Sequence, residues 1–253
     1  MSDTSAENGE QVVRAGFGSV EIGIEGRYDL SISAILDEAW KKIDGNKGTV
    51  WLAWICMVVI LVAFSAIVQV LLMRFGVGHV EGNPVMTNLL VSSIGKFLGL
   101  FVSVPLGAGF TMLGIKMAVN APVKWDELFN YFEKVLVLIG TTLLMYLLIA
   151  IGFCLLVLPG IYLAFAYSLA IPLVVEKNLS PWEALETSRK AITHNWFKLF
   201  GLYFLFGLIV LISAIPIGIG LIWTVPMSAL LIGVVYRTIF GYEREADLPK
   251  FAE

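Results

Sequence analysis

The stretch that decides the fold is residues 50–73, VWLAWICMVVILVAFSAIVQVLLM, which holds 24 residues and no charged side chain. As a helix it would be about 36 Å long, enough to cross a hydrocarbon core of about 30 Å. The whole chain shares this bias, because 58% of its residues are hydrophobic and only 15% are charged, whereas roughly a quarter of a soluble domain is charged. A charge at the bilayer centre costs a few kcal/mol, so the pattern predicts an integral membrane protein.

Five further apolar runs predict an all-α fold, a polytopic transmembrane helical bundle with six spans in three hairpins. The fourth run is short, about 22 Å as a helix. It could borrow residues from the uncharged turn at residues 158–160, thin the bilayer locally, or stay inside the bundle. A glycine-containing loop is expected at residues 74–88. The five runs are residues 97–118, 135–158, 161–175, 196–215 and 221–236.

Each hairpin is preceded by an amphipathic segment that predicts a helix lying in the headgroup region. These segments are residues 31–43, 122–134 and 180–195. The third begins with Ser180-Pro181-Trp182-Glu183, a capping box with proline at the first helical position. We expect contact with interfacial lipid at five residues on these segments: Trp40, Trp125, Trp182, Lys41 and Lys190.

Positive charge predicts the orientation in the membrane. With six spans and a cytoplasmic N-terminus, only Arg74 and Lys96 of the 17 lysines and arginines fall on the outer side, a strong positive-inside bias. The location expected is therefore a cell membrane, inner or plasma, with both termini cytoplasmic. Residues 1–29 are expected to be a flexible segment, in which residues 16–25 form a short strand or extended arm. Residues 30–241 form the transmembrane domain, and residues 242–253 a cytoplasmic tail.

The chain also repeats itself weakly. At an offset of 149, Ser31 matches Ser180 and Lys41 matches Lys190; at an offset of 121, Pro105 matches Pro226. The second span of every hairpin contains a proline, at Pro105, Pro172 and Pro226. A proline removes a backbone hydrogen bond and can kink its helix. Two interpretations stay open: ordinary helix packing, or three kinked helices that converge on a central cavity.

Several motifs resemble a broad group of bacterial six-helix membrane proteins. They are Leu158-Pro159-Gly160-Ile161-Tyr162-Leu163, Pro172-Leu173-Val174-Val175, Ser180-Pro181-Trp182-Glu183-Ala184-Leu185 and Trp125-Asp126-Glu127-Leu128-Phe129. The group includes the YciC-like inner-membrane proteins and the membrane domain fused to some glycerophosphodiester phosphodiesterases. The resemblance implies a six-helix membrane domain of largely uncharacterised function. The chain has no room for the soluble phosphodiesterase domain, so that activity does not carry over.

The sequence offers little for catalysis. His79 and His194 are expected on opposite sides of the bilayer, and no metalloprotease, nucleophile-elbow or phosphate-loop motif is present. Lys96 is expected to reach the headgroups or to line a polar pathway. We therefore expect no enzymatic activity, no cofactor, no metal and no nucleic-acid partner. The leading hypothesis is an accessory, scaffold or bilayer-organising protein that contacts membrane lipids, with a protein partner or a second copy of the chain as further candidate partners. The alternatives are a transporter or channel for a small solute or lipid and, less favoured, a lipid-modifying enzyme.

Overall fold

The computed structural model describes residues 18–78, 82–215 and 218–242, and these form helices and turns without strands. Six helical segments are long and apolar enough to cross a membrane: Lys47–Arg74, Pro84–Ala118, Trp125–Leu155, Val157–Glu176, Trp196–Ala214 and Leu221–Phe240. The prediction of an all-α membrane bundle is confirmed at this level. The helices are α1 (Val20–Ile24), α2 (Ile32–Lys42), α3 (Lys47–Arg74), α4 (Pro84–Ala118), α5 (Val135–Leu155), α6 (Val157–Ala166), α7 (Ala170–Glu176), α8 (Pro181–His194), α9 (Trp196–Ala214) and α10 (Leu221–Phe240).

The core of the bundle is the parallel pair α4 and α10, where glycine lets two backbones touch. A Cβ on Gly233 would lie 2.1 Å from the carbonyl oxygen of Gly114, and a Cβ on Gly114 would lie 2.0 Å from that of Ala229. Small residues of this kind allow close helix approach in membranes, where packing rather than water exclusion drives association. Further along, Arg237 of α10 donates a hydrogen bond to the carbonyl of Ala118, at 2.8 Å. We call the end of the bundle where α4 and α10 finish, marked by Lys116 and Arg237, the charged end.

Three local predictions are wrong. Residues 18–25 are not a strand, because Ser19 accepts a hydrogen bond from the Ile22 amide at 3.2 Å and starts helix α1. The predicted loop at residues 74–88 is partly helix, since Asn83 caps α4 and Pro84 occupies its first position. The segment at residues 122–134 contains two 3-10 turns, Trp125–Phe129 and Phe132–Lys134, instead of one α-helix.

Helix α4 therefore starts 13 residues before the predicted span. The extra turns are polar, but their hydroxyls donate to carbonyls of the same helix. Ser92 reaches Asn88 at 2.6 Å and Ser93 reaches Leu89 at 2.7 Å. Because these hydroxyl groups are hydrogen-bonded within the helix, α4 can extend from Lys96 towards the N-terminus as far as Pro84.

The fourth apolar segment is broken, and α8 returns along it. The chain turns at Leu156, so the predicted turn at residues 158–160 is the first turn of α6. After the break at residues 167–169, α7 begins at Ala170. The hydroxyl groups of Tyr162 in α6 and Thr193 in the last turn of α8 are 2.6 Å apart. Tyr162, near the start of the fourth apolar segment, therefore lies beside the end of the polar helix α8. If α8 lies in the headgroup region, the fourth segment cannot run straight along the membrane normal.

Part of the predicted flexible segment packs against the bundle. The amide of Gly18 donates to the carbonyl of Arg237 at 3.0 Å, and the Tyr28 hydroxyl donates to the carbonyl of Ala191 at 2.7 Å. Burial raises the pKa of Tyr28 to about 12, partly offset by its contact with Asn195. Residues 1–17, 79–81, 216–217 and 243–253, which include His79 and all of the expected tail except Tyr242, lie outside the described residues.

Candidate interface at the charged end of the bundle

The polar residues at the charged end pair with one another. Lys116, which ends α4, forms an ion pair with Glu127 at 2.9 Å, and the two side chains are only 9% and 17% exposed. Glu127 sits in the 3-10 turn Trp125–Phe129, where its carboxylate also accepts a hydrogen bond from the Lys124 amide at 3.1 Å. The carboxylate thus both caps the turn and joins it to α4. An ion pair with so little water access is screened weakly and is sensitive to the loss of either partner.

A second pair attaches α2 to α10. Both terminal nitrogens of the Arg237 guanidinium donate to the Glu38 carboxylate, at 2.6 and 2.9 Å. Such bidentate pairs are stronger and more directional than a single hydrogen bond. Lys42 lies 3.2 Å from the same carboxylate and also donates to the carbonyl of Ala118. Helix α2 is thus held by the ends of α4 and α10 together.

The electrostatics favour the charged form of this carboxylate. Burial alone would raise the pKa of Glu38, but the hydrogen bonds and positive charges of Arg237 and Lys42 outweigh it and hold that pKa below its usual value. Burial also lowers the pKa of the Lys42 ammonium, and Glu38 partly offsets that effect. Glu38 is therefore ionised at neutral pH and keeps its pairs.

The end of α7 is joined to the same layer. The Tyr236 hydroxyl of α10 donates to the buried carboxylate of Glu176 at 2.7 Å, and Lys177 lies 3.5 Å from it. Lys134 donates to the carbonyl of Val175 at 2.9 Å. The ends of α4, α7 and α10 and the start of α5 therefore meet in one polar layer.

A buried serine joins helix α8 to the break between α6 and α7, and a capping box begins the helix. The Ser188 hydroxyl donates to the carbonyl of Ala166 at 2.6 Å and accepts from the amide of Leu169 at 3.3 Å. These are backbone groups left by the break between α6 and α7. The predicted capping box is confirmed: Ser180 accepts from the Glu183 amide at 3.4 Å, and Glu183 accepts from the Ser180 amide at 3.1 Å.

The opposite faces of the same three elements carry the predicted tryptophans. Trp40 is 52% exposed, Trp125 is 42% exposed and Trp182 is 59% exposed. Lys41 is exposed and pairs with Asp37 at 2.6 Å on its own helix, and Lys190 lies on the surface of α8. Each element thus has a polar contact that fixes its inner side and a tryptophan that projects outward. We call α2, Trp125–Phe129 and α8 the tryptophan elements.

The three predicted prolines occupy different settings. Pro105 and Pro226 lie inside α4 and α10, whereas Pro172 is in the first turn of α7, after the break. In a regular α-helix the amide of residue 226 would donate a hydrogen bond to the carbonyl of Ile222, but Pro226 has no N–H. The indole of Trp51 donates to that carbonyl instead, at 2.9 Å. This is the kind of replacement donor that a proline in a membrane helix needs.

One cleft in the bundle involves the proline-containing segments. A cleft of about 390 Å³ lies between α4, α5, the break after α6, and α10, and among the three prolines only Pro172 lines it. Its wall includes Ser103 and Gly107, on either side of Pro105 in sequence, and Ile232 is the only α10 residue that lines it. Convergence of all three prolines on a central cavity stays a prediction. We call the cleft described here the α4–α5 cleft.

No group of three or more histidine, cysteine, aspartate or glutamate side chains that could hold a metal ion occurs in the described part of the chain. Neither a family model, nor a curated protein, nor a solved structure matches the sequence. The structure itself defines the class: an all-α protein with six apolar helices and the character of a multi-pass membrane protein.

Proposed function

We propose that the protein is a non-enzymatic, bilayer-organising or scaffold protein of a cell membrane, inner or plasma, that presents the tryptophan elements to the lipid headgroups. The observation that carries the proposal is the fixed orientation of these elements. Glu38 and Glu127 pair with α10 and α4, and Ser188 binds the break between α6 and α7. Exposed tryptophan side chains favour the boundary between headgroups and hydrocarbon, so three rigidly held ones form a platform for one leaflet.

The charge distribution supports a cytoplasmic position for the charged end. Lys42, Lys116, Lys134 and Arg237 all make their contacts there, as the positive-inside rule requires. The hydrogen bond between Gly18 and Arg237 places the first and last described segments at the same end. We therefore propose that both termini are cytoplasmic and that the tryptophan elements contact the inner leaflet.

The test is to remove the tryptophans without disturbing the contacts that hold their helices. A triple variant, Trp40→Ala, Trp125→Ala and Trp182→Ala, is extracted in native-lipid nanodiscs, and its lipids and co-purified proteins are quantified by mass spectrometry. A matched control replaces exposed apolar side chains on spans that do not line the α4–α5 cleft: Leu71→Ala, Phe204→Ala and Leu211→Ala.

We expect the tryptophan variant to lose whichever lipid or stoichiometric protein is enriched with the wild type, and the control variant to keep it. Retention of the same lipids and proteins by both variants would contradict the proposal. A membrane enzyme would instead show a converted lipid, which the same lipid analysis detects.

Transport of a small solute or a lipid is the second candidate, and the α4–α5 cleft is the observation in its favour. Clefts beside interrupted helices hold substrate in many transporters. If the protein transports, Pro105→Ala should change flux across proteoliposomes while leaving the lipid composition of nanodiscs unchanged. Unchanged flux would assign Pro105 to packing.

A further inference from the structure

The α4–α5 cleft lies within the apolar part of the bundle. Gly107, on its wall, is nine residues before Lys116, which places it about 13 Å along α4 from the charged end. The cleft volume of about 390 Å³ falls in the range of small-molecule sites, roughly 300–1,000 Å³. A space of this size at this depth takes a ligand from the bilayer more readily than from water.

Among the described residues, the wall of the cleft carries no charge, and its hydroxyl groups are outnumbered by apolar residues. None of the residues that line the cleft, all of them within the described ranges, carries a charge. Two of the hydroxyls already donate within their own helices: Thr111 to Gly107 at 3.0 Å and Thr142 to Leu138 at 2.8 Å. Ser103, Tyr146 and Ser168 add only neutral hydroxyls. A charged or strongly polar solute would lose its hydration here without a compensating charge.

The cleft opens on the exposed surface of two candidate membrane spans. Tyr146, on its wall, is 57% exposed, and Leu147 and Phe101 are exposed beside it. These side chains lie on candidate spans, Phe101 on Pro84–Ala118 and the other two on Trp125–Leu155. We propose that the α4–α5 cleft binds one acyl chain of a bilayer lipid, which enters sideways between α4 and α5. This inference goes beyond the proposed function, because it involves none of the tryptophan elements.

Gly107 provides a clean way to close the cleft. A Cβ built on Gly107 meets no atom within 4 Å, and the same holds for Gly207 of α9, which does not line the cleft. A Cβ at position 107 therefore points into open space, and we expect a larger side chain there to extend into the cleft. Gly207→Leu introduces the same side chain on a helix surface elsewhere and serves as the matched control.

The experiment uses phosphatidylethanolamine with a photoactivatable diazirine in the middle of one acyl chain, incorporated into nanodiscs with the full-length protein. After illumination, labelled peptides are mapped by mass spectrometry. We expect labelling of the α4 and α5 segments that line the cleft. In Gly107→Leu this labelling should fall by about tenfold, since a steric clash in the site is how a ligand is excluded, and in Gly207→Leu it should stay at the wild-type level.

Equal labelling of the cleft in Gly107→Leu and wild type would overturn the inference. Cross-links between two copies of the chain at the cleft would also overturn it, because a second copy would then be the occupant. If Gly107→Leu does not accumulate, Ser103→Leu blocks the same wall and gives the same test. The triple tryptophan variant should keep its cleft labelling, so that failure of the proposed function and failure of this inference can be told apart.

Discussion

Replacing Glu38 with glutamine should loosen α2 from the bundle. Breaking one partner of a buried ion pair costs about 3–5 kcal/mol, and an exposed pair contributes under about 1 kcal/mol. The Arg237 side chain is 13% exposed and that of Glu38 is 30% exposed, so their pair lies between these limits. Glutamine keeps the shape and one acceptor, and Arg237 keeps the carbonyl of Ala118. We therefore expect a loss of about 2 kcal/mol in the free energy that holds α2 in place.

Hydrogen exchange of the α2 amides in nanodiscs measures this directly, because local opening sets the exchange rate. A loss of about 2 kcal/mol corresponds to roughly 30-fold faster exchange over Ile32–Lys42, since 1.36 kcal/mol is one factor of ten. Asp37→Asn is the matched control. Asp37 is next to Glu38 but pairs with Lys41 in the open, and its loss should change exchange by about twofold or less.

The reasoning would be refuted by equal exchange in the two variants. The pH dependence offers a second check on the wild type. Because the folded pKa of Glu38 is lowered, the pair contributes fully above the ordinary carboxyl pKa of about 4.3, and its contribution is lost as pH falls through the lowered folded value. After correction for intrinsic rates, protection of α2 should be constant from neutral pH to about 5 and should fall below about 4.

Three other changes probe the fold. Gly233→Ala should lower the free energy of unfolding by about 2 kcal/mol or more, because the added methyl group would collide with the α4 backbone, whereas Gly207→Ala should be neutral or slightly stabilising. Thermal unfolding in detergent compares the two variants. Equal melting midpoints would argue against the close contact between the α4 and α10 backbones. Trp51→Phe should cost about 1 kcal/mol by removing the donor to the carbonyl freed by the proline of α10, and an unchanged melting midpoint would show that this hydrogen bond is dispensable. In a chain carrying Cys56→Ser and Cys154→Ser, a cysteine at Leu158 should not react with a membrane-impermeant thiol reagent added from outside, because Tyr162, one turn further along α6, contacts α8, which the proposed function places at the inner leaflet. A cysteine at Phe75 should react from outside. Rapid labelling of position 158 from outside would show that the fourth segment crosses fully.

The sequence predicted the spans well because length and hydrophobicity alone define them. Residues 50–73 fall within α3, and residues 196–215 match α9 to within one residue. The start of α4 was missed because its polar first turns satisfy their hydroxyls within the helix, which no hydropathy pattern reveals. The break in the fourth segment depends on Ser188, whose hydroxyl supplies the tertiary hydrogen bonds to the exposed backbone.

The candidate site was predicted only in part. Trp40, Trp125 and Trp182 were predicted to contact interfacial lipid because they belong to the amphipathic segments, and the structure places all three on the protein surface. Their anchoring carboxylates, Glu38 and Glu127, were not predicted, because in the sequence they resemble the other charged residues of the amphipathic segments. A signal was present, since both glutamates follow an aspartate in a tryptophan-bearing segment. Their partners at the ends of α4 and α10 are distant in sequence, however, so only the packing of those helices could identify the pairs.

The most direct test of the account is the membrane depth of the three tryptophan elements. Single cysteines replace Trp40, Trp125 or Trp182 in a chain carrying Cys56→Ser and Cys154→Ser, and spin labels attached there are measured in nanodiscs by their accessibility to oxygen and to a water-soluble nickel complex. The account predicts that all three labels lie at the headgroup boundary of the same leaflet, within about 5–10 Å of one another in depth. Labels in bulk water, or at different depths on opposite leaflets, would contradict it.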